Sequence, residues 1–169
     1  MTVTVLGKNY IQISACDAIT DWDFNRVETD SVTRKEGDAS LCGILNSVGN
    51  NDAIYEPGGF IDLSGVKHLR LWFLATVGAL LNTDALGGIQ LIVSDGVDTA
   101  YYYVSGRDTY PGGYMNLVAD VSRTQDAGTK PTNMAECTSV GVRMNLISSA
   151  KNAINTWIDN LCICDGLIA

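Results

Sequence analysis

Short runs of β-branched and aromatic residues recur along the whole chain, and clusters of Gly, Asn and Asp separate them. Such runs predict strands, and many short strands at close spacing are typical of a β-sandwich or a β-barrel. We therefore predict an all-β fold, an antiparallel two-sheet β-sandwich of the jelly-roll type. The predicted strands are residues 2–6, 11–16, 22–27, 40–45, 59–63, 67–75, 88–94, 99–104, 114–121, 138–146 and 155–164.

The spacing of apolar residues predicts which side of each strand is buried. In the predicted strand 67–75, Leu69 and Leu71 alternate with Arg70 and Trp72. This period of two is typical of a sheet that has one face in the core. We therefore expect the second face of the sheet to contact water or a partner.

Turn residues favour antiparallel pairing, although one region also fits a helix. Residues 94–96 (Ser-Asp-Gly) lie between two apolar runs and predict a tight hairpin. The apolar residues of 134–161 also fit helical spacing, and residues 151–155 would allow one helical turn. The β-branched residues Val140 and Val142 favour a strand in that region.

Length and charge limit the organisation of the chain and its partners. At 169 residues the chain fits one domain, 1–169, because single domains usually contain about 100 to 200 residues. A net charge of −8 disfavours contact with a phosphate backbone, so we expect no nucleic-acid partner. No apolar run approaches the roughly 18 residues of a membrane span, and residues 1–6 lack the regions of a signal peptide. We therefore expect no membrane partner and no signal peptide.

Five cysteines and one histidine argue against a zinc site because the chain has no CxxC pair. The cysteines are either reduced and buried as small apolar residues, or one of them forms an intermolecular disulfide, since their count is odd. Cys162 and Cys164 would face the same side of a strand. The candidate disulfide residues are Cys16, Cys42, Cys137, Cys162 and Cys164.

Motifs of the common hydrolases and nucleotide-binding enzymes are absent from the sequence. It has no GxSxG, HExxH or phosphate-loop motif, and its single histidine, His68, lies in a predicted strand. We expect a structural role for His68, no catalytic residue, and a protein that is not an enzyme. A glycoside hydrolase stays open as an alternative, because that chemistry needs only two suitably placed carboxylates and 19 acidic residues are present.

Several short motifs resemble those of carbohydrate-binding modules with a jelly-roll fold. The likeness extends over residues 22–161, and its motifs are Glu-Gly-x-x-Ser-Leu at 36–41, Asp-Leu-Ser-Gly at 62–65 leading into 69–73, Asp-Val-Ser at 120–122 and Trp-Ile-Asp-Asn at 157–160. The resemblance implies that the first and last strands lie side by side. It also implies that carboxylates from an early segment and from the last strand hold a structural calcium ion.

Carried over residue by residue, the resemblance nominates Glu36 and Asp159 as calcium ligands, with Asp38 or Asp17 as additions. Calcium takes about six to eight oxygen ligands, and a glycine-bearing loop can supply backbone carbonyls among them. The alternative is that these residues are solvated carboxylates beside the end of a strand. We expect that no other cofactor is required.

A tyrosine-rich strand offers a candidate binding surface. Aromatic side chains stack on the apolar face of a sugar ring, and Tyr and Trp are also enriched at protein interfaces. We favour the protein interface over the glycan site. The candidate residues for binding a glycan or a protein partner are Trp72, Tyr101, Tyr102, Tyr103, Tyr110 and Tyr114.

The general style of the chain resembles jelly-roll domains in virion proteins of tailed bacteriophages, with short polar turns, many Gly and Asn residues and an acidic balance. This resemblance implies a non-catalytic structural protein of the virion, as a head-decoration, fibre or tail-associated subunit. Its partners would be other virion proteins and copies of itself. Residues 1–16 and 162–169 are the predicted assembly contacts, because unpaired strand edges invite pairing. The alternative function is that of a carbohydrate-binding module that recognises a glycan through exposed aromatic residues.

Overall fold

The computed structural model describes residues 2–5, 8–45, 47–147 and 154–165. Two antiparallel sheets pack face to face, so the predicted all-β sandwich is confirmed. Three single turns of 3₁₀ helix, Gly78–Leu80, Asp84–Leu86 and Met134–Glu136, lie in the connections. The strands are β1 (Thr2–Val5), β2 (Lys8–Ser14), β3 (Trp22–Phe24), β4 (Glu28–Asp30), β5 (Ser40–Leu45), β6 (Gly49–Tyr55), β7 (His68–Ala75), β8 (Ile89–Ser94), β9 (Thr99–Ser105), β10 (Met115–Asp120), β11 (Ala127–Gly128), β12 (Ser139–Leu146) and β13 (Ile154–Cys164).

The six-stranded sheet has the order β11-β9-β8-β12-β6-β3. The seven-stranded sheet has β13 at its centre, with β7 and then β10 on one side. On its other side, β13 pairs with β5 through Ile154–Ile158 and with β2 through Leu161–Cys164. The resemblance implied that the first and last strands lie side by side, but it is the second strand, β2, that pairs with β13, and β1 lies beyond β2.

A β-bulge divides β13 between these two partners. The register shifts between Asp159 and Cys162, where Asn160 has a φ of 47°. This left-handed conformation is one that Asn adopts more readily than most residues. Bulges bend a strand and change the direction of its side chains. The bulge thereby places Asp159 and Asn160 beside the segment that precedes β5.

The core lies between the two sheets and follows the predicted alternation. On β7, Leu69, Leu71 and Phe73 are completely buried, whereas Arg70 and Trp72 on the opposite face are partly exposed. Each fully buried side chain of this size stabilises the fold by about 1.5 to 3 kcal/mol relative to its exposed state. The alternation on β12 is of the same kind, and apart from the 3₁₀ turn at Met134–Glu136 the described parts of 134–161 form strands in place of the helical alternative.

Four elements differ from the predictions. Residues 59–63 were predicted as a strand, but only Ile61 makes a bridge, to Cys137. The strands β4, β6 and β11 were not predicted, because polar residues and glycines make up most of their sequences. The proposed helical turn at 151–155 lies largely outside the described residues.

The two predicted assembly contacts, residues 1–16 and 162–169, lie partly in inner strands of the seven-stranded sheet. Residues 8–14 form an inner strand, β2, which pairs with β1 on one edge and β13 on the other. Residues 166–169 lie outside the described residues. No helix within the described ranges is long and apolar enough to cross a membrane.

Candidate functional site

The outer face of the six-stranded sheet carries side chains in rows that cross the strands. Directly paired residues of antiparallel strands project from the same face of a sheet. A polar row runs across β6, β12, β8 and β9 and consists of Asp52, Arg143, Gln90 and Tyr103. The next row along the strands consists of Ile54, Gly141, Ile92 and Tyr101.

The two rows have different chemistry and lie about 7 Å apart, the distance between alternate residues of a strand. Asp52 and Arg143 supply charged groups, whereas Gln90 is buried and donates its Nε2 to Gly87 O at 2.8 Å. Ile54 supplies partly exposed hydrocarbon, Ile92 forms the floor beside it with only 2% of its surface exposed, and Gly141 between them has no side chain. A ligand with an apolar face and a polar edge would therefore find matching groups in neighbouring rows.

Arg143 links the two rows at the centre of this face. Its Nε donates to Asp52 Oδ1 at 2.8 Å and its Nη2 donates to Asp52 Oδ2 at 2.7 Å. The guanidinium carbon lies 4.3 Å from the centroid of the Tyr101 ring. Hydrogen bonds from Arg143 to Asp52 raise the pKa of Arg143 above its ordinary value. A bidentate pair of this kind, stacked on a ring, holds the guanidinium in one orientation.

A shallow groove of about 230 Å³ follows this face. Its volume is below the roughly 300 Å³ at which pockets for drug-sized ligands begin, so it is an open recess. Its lining combines three charged side chains, two isoleucines, one aromatic ring and three hydroxyl groups. The lining residues are Asp52, Glu56, Arg143, Ile54, Ile92, Tyr101, Ser94, Thr99 and Ser139.

Two of the six predicted binding aromatics lie on this face. Tyr101 lines the groove beneath Arg143, and Tyr103 at the end of the polar row has 38% of its surface exposed. Tyr102, between them in sequence, is completely buried and donates its hydroxyl to Val121 O at 3.2 Å. Tyr102 is therefore a core residue and no part of a binding surface.

The other three predicted aromatics lie elsewhere, so the six do not form one surface. Tyr110 packs edge-on against Phe73 and its hydroxyl accepts from Ala75 N at 2.8 Å. Trp72 is on the outer face of the seven-stranded sheet, and Tyr114 donates its hydroxyl to Thr33 O at 3.0 Å. Burial raises the pKa of Tyr114 to about 12.

Sequence reasoning missed the polar residues of the groove. Arg143 occupies an outward position in an alternating strand, and this pattern was a usable signal. Asp52 and Glu56 gave no such signal, because β6 reads as a polar loop in sequence. Gln90 lies in a strand whose residues are all buried, so its outward direction was hidden as well.

A second polar cluster lies on the outer face of the seven-stranded sheet and contains the predicted calcium ligands. Asp159 is completely buried, and its Oδ2 accepts the backbone N–H groups of Lys35 at 2.7 Å and Glu36 at 2.8 Å. Its Oδ1 is buried and has no hydrogen-bond partner. Burial raises the pKa of the Asp159 carboxyl, and the charges of Glu36 and Asp17 raise it further.

Nitrogen donors surround the Glu36 carboxylate. Trp72 Nε1 donates to Oε1 at 2.6 Å, Asn160 Nδ2 donates to Oε2, and Arg70 Nη2 lies 3.8 Å from Oε1. The Lys35 ammonium also lies 4.9 Å from the Trp72 ring centroid. The segment around residue 36 is therefore fastened across the sheet by its own hydrogen bonds.

The fit of a calcium ion to this cluster is mixed. The unpartnered Oδ1 of Asp159 is the hard oxygen that calcium prefers, but the Glu36 oxygens already face N–H donors. Asp17 Oδ1 accepts the backbone N–H groups of Asp38 and Ala39, and Asp38 itself is exposed. Within the described ranges, no three His, Cys, Asp or Glu side chains are arranged to hold a metal ion. The calcium site stays a prediction.

All five cysteines are buried and none forms a disulfide within the chain. Burial raises the pKa of Cys16 to about 12 and those of Cys42 and Cys137 to about 11, which disfavours their reactive thiolates. Cys162 and Cys164 pair with Arg70 and His68 and share the outer face, as predicted. The intermolecular disulfide stays a prediction and requires a buried thiol to become accessible.

Solved structures with the same fold are carbohydrate-binding modules and parts of glycoside hydrolases. A family 11 carbohydrate-binding module from Clostridium thermocellum, in complex with a β-1,3-1,4-mixed-linked tetrasaccharide, is similar with a TM-score of 0.63 and 12% identity over 95% of this chain and 98% of that one. The family 11 module of the cellulosomal cellulase Lic26A-Cel5E of the same organism has a TM-score of 0.61 and 9% identity over 98% and 99%.

An exo-β-agarase is also similar, with a TM-score of 0.61 and 13% identity, and the match covers 88% of this chain but only 24% of the agarase. The chain thus spans about a quarter of that enzyme. No protein-family model matches the chain, and no curated protein is significantly similar to it in sequence. At these low identities the structural likeness shows the fold alone, the β-sandwich that carbohydrate-binding modules have.

Proposed function

We propose that this chain binds a glycan through the outer face of the six-stranded sheet. The observation that carries the proposal is the bidentate pair of Asp52 and Arg143 in a groove that is also lined by two isoleucines and Tyr101. Sugar rings are amphipathic in the same way, with hydroxyl groups around the edge and C–H groups on the faces.

Each part of this face has a role in the proposal. The ring of Tyr103 is available for stacking, because 38% of the residue is exposed. Arg143 donates to sugar hydroxyls, and Asp52 accepts from them. Because the Arg143–Asp52 pair is held in place before binding, ordering these side chains costs little binding free energy.

The dimensions of the face suit a chain of sugars. The four adjacent strands β6, β12, β8 and β9 span about 14 Å from the first strand axis to the last. The groove crosses the same four strands, from Asp52 on β6 to Tyr101 on β9. We infer that an oligosaccharide lies across the strands and contacts Tyr103 at one end.

The comparisons support a non-catalytic binding role over hydrolysis. The chain matches nearly the full length of two carbohydrate-binding modules but only a fraction of the agarase. In addition, Asp52 in the groove is paired with Arg143 and His68 lies on the other sheet.

Affinity electrophoresis in gels that contain single polysaccharides tests the proposal, followed by calorimetry with oligosaccharides of the retained polymer. We expect Tyr103→Ala to weaken binding about three- to tenfold, because an aromatic contact contributes about 0.5 to 1.5 kcal/mol. Phe60→Ala is the matched control, since Phe60 is 69% exposed and lies outside the strands of this sheet. Failure of all polysaccharides to retard the chain, or an equal loss in both variants, would refute the proposal.

The structural role in a tailed-phage virion stays a prediction. It rests on the style of the sequence, whereas glycan binding rests on the geometry of one face. The two roles are compatible, because a virion subunit can contact a receptor glycan through such a face.

A further inference from the structure

We propose that Asp52 and Glu56 make the groove selective for uncharged glycans and exclude glycans that carry uronate or sulfate groups. This inference rests on the proposed function and specifies the chemical class of its ligand. It follows from the charges in and beside the groove and from their pairing.

The charges of the groove do not balance. Its lining contains two carboxylates, Asp52 and Glu56, and one cation, Arg143. Asp23 adds a third carboxylate to the same face, because it pairs with Ile54 on β3 and is exposed. Arg143 compensates only one of the three, so the face is acidic, like the chain as a whole with its net charge of −8.

Arg143 is the one lining residue that would attract an anion, and it is already engaged. Two of its nitrogens, Nε and Nη2, donate to the two oxygens of Asp52. A ligand carboxylate could take these donors only by displacing Asp52 from a bidentate, charge-assisted pair. Among the ion pairs of the described residues, none involves Glu56. The charge of Glu56 therefore acts on the ligand uncompensated.

Hydroxyl groups meet no such penalty. A hydroxyl donates to a carboxylate and accepts from a guanidinium, so a neutral sugar uses both members of the Asp52–Arg143 pair without breaking it. A carboxylate or sulfate only accepts and brings a negative charge near Asp52 and Glu56. At physiological ionic strength this repulsion acts over the Debye length of about 8 Å, which covers the groove.

Polysaccharide pairs that share a backbone test the inference. The probes are hydroxyethylcellulose with carboxymethylcellulose, chemically desulfated with native κ-carrageenan, and methyl-esterified with de-esterified homogalacturonan. We expect the chain to bind the neutral member of at least one pair about tenfold or more tightly than the charged member, because like charges at an interface oppose binding. The preference should shrink at high salt, where the charges are screened.

The outcomes separate this inference from the proposed function. Equal or tighter binding of the charged member overturns the selectivity and leaves glycan binding intact. Binding to neither member of any pair overturns the proposed function itself.

Variants assign the selectivity to the groove. Glu56→Gln and Asp52→Asn should each lower the ratio of neutral to charged binding at least about threefold, with the larger effect for Asp52→Asn because it also releases Arg143 for a ligand anion. Glu136→Gln makes the same charge change at an exposed site outside the groove and should leave the ratio unaltered. A ratio that falls equally in all three variants would show an effect of net charge and overturn the role of Asp52 and Glu56. Circular dichroism confirms that each variant is folded.

Discussion

The two outer faces of the sandwich carry similar residues and use them differently. On the six-stranded sheet, Arg143, Asp52 and Tyr101 surround an open groove. On the seven-stranded sheet, Trp72 and Glu36 are part of a cluster whose partners belong to the same chain. The comparison shows that residue type alone does not mark a binding face; the segment packed above the sheet decides whether polar groups are left for a ligand.

The covering segment before β5 is fastened at several points. The backbone N–H groups of Lys35 and Glu36 donate to Asp159, and Thr33 O accepts from Tyr114 and from Ser40. These contacts hold the covering segment against the outer face of the seven-stranded sheet. Substitutions at these contacts therefore test whether the covering segment causes the difference between the two faces.

The largest effect is expected from Asp159→Ala. The substitution removes two charge-assisted hydrogen bonds and the volume of a completely buried side chain. We expect a loss of about 2 to 4 kcal/mol in the free energy of unfolding, measured by urea denaturation. Glycan affinity at the opposite face should be unchanged.

Asp38→Ala is the control, because Asp38 is exposed in the same segment. Equal stability of the Asp159→Ala protein and the wild type would contradict the fastening role of Asp159. The same proteins test the calcium prediction: calcium should raise the melting temperature of the wild type relative to EDTA, and this increase should disappear in Asp159→Ala.

A smaller effect is expected from Trp72→Ala, which separates the two faces directly. Trp72 contacts Lys35 and Glu36 and not the groove. The substitution should cost about 1 to 3 kcal/mol of stability and leave glycan affinity within experimental error of the wild type. A protein that is as stable as the wild type but no longer binds glycan would move the binding site to the seven-stranded sheet.

The smallest effect concerns pH and distinguishes two carboxylates beside the covering segment. Backbone N–H groups of Thr33 and Val32, together with the indole Nε1 of Trp157, donate to Asp30 and lower its pKa to about 2. Its stabilising contribution is present above the unfolded value of about 3.8 and is lost as the pH falls towards 2. The pKa of Asp159 is raised, so its contribution is full below the unfolded value and declines as the pH rises through the folded one.

We therefore expect the two carboxylates to change the pH dependence of the unfolding free energy in opposite directions, as measured by urea denaturation across the acid range. Relative to wild type, Asp30→Asn should remove an acid-induced loss of stability, and Asp159→Asn should remove a decline that accompanies rising pH. The same direction of change in both variants would contradict the assignment.

The fold was more accessible from the sequence than the site. In alternating strands such as β7 and β12 the sequence indicates which face is buried, because apolar residues occupy every second position. β6 has no such signature, because it carries Asn50 and Asp52 on an outward face and pairs through its backbone. A strand with polar residues on its outer face therefore resembles a loop in sequence.

The aromatic residues show the corresponding limit for the site. Tyr101, Tyr102 and Tyr103 are adjacent, yet the middle one is in the core and the other two are on the outer face, where Tyr101 lines the groove. Strand alternation predicts that Tyr102 faces away from Tyr101 and Tyr103, but it does not predict which of the two faces is buried. Trp72 alternates as well, and only the covering segment, brought close by distant pairing, removes it from a ligand's reach.

The central position of β13 has a consequence for biosynthesis. β2, β5 and β7 are all made earlier, and each has an edge that is completed only by residues 154–164. A nascent chain on the ribosome therefore exposes three incomplete strand edges until residues 154–164 have emerged, a state that favours aggregation. The hairpin of β8 and β9 can close before those residues are made, so the two sheets should form at different times, with the six-stranded sheet first.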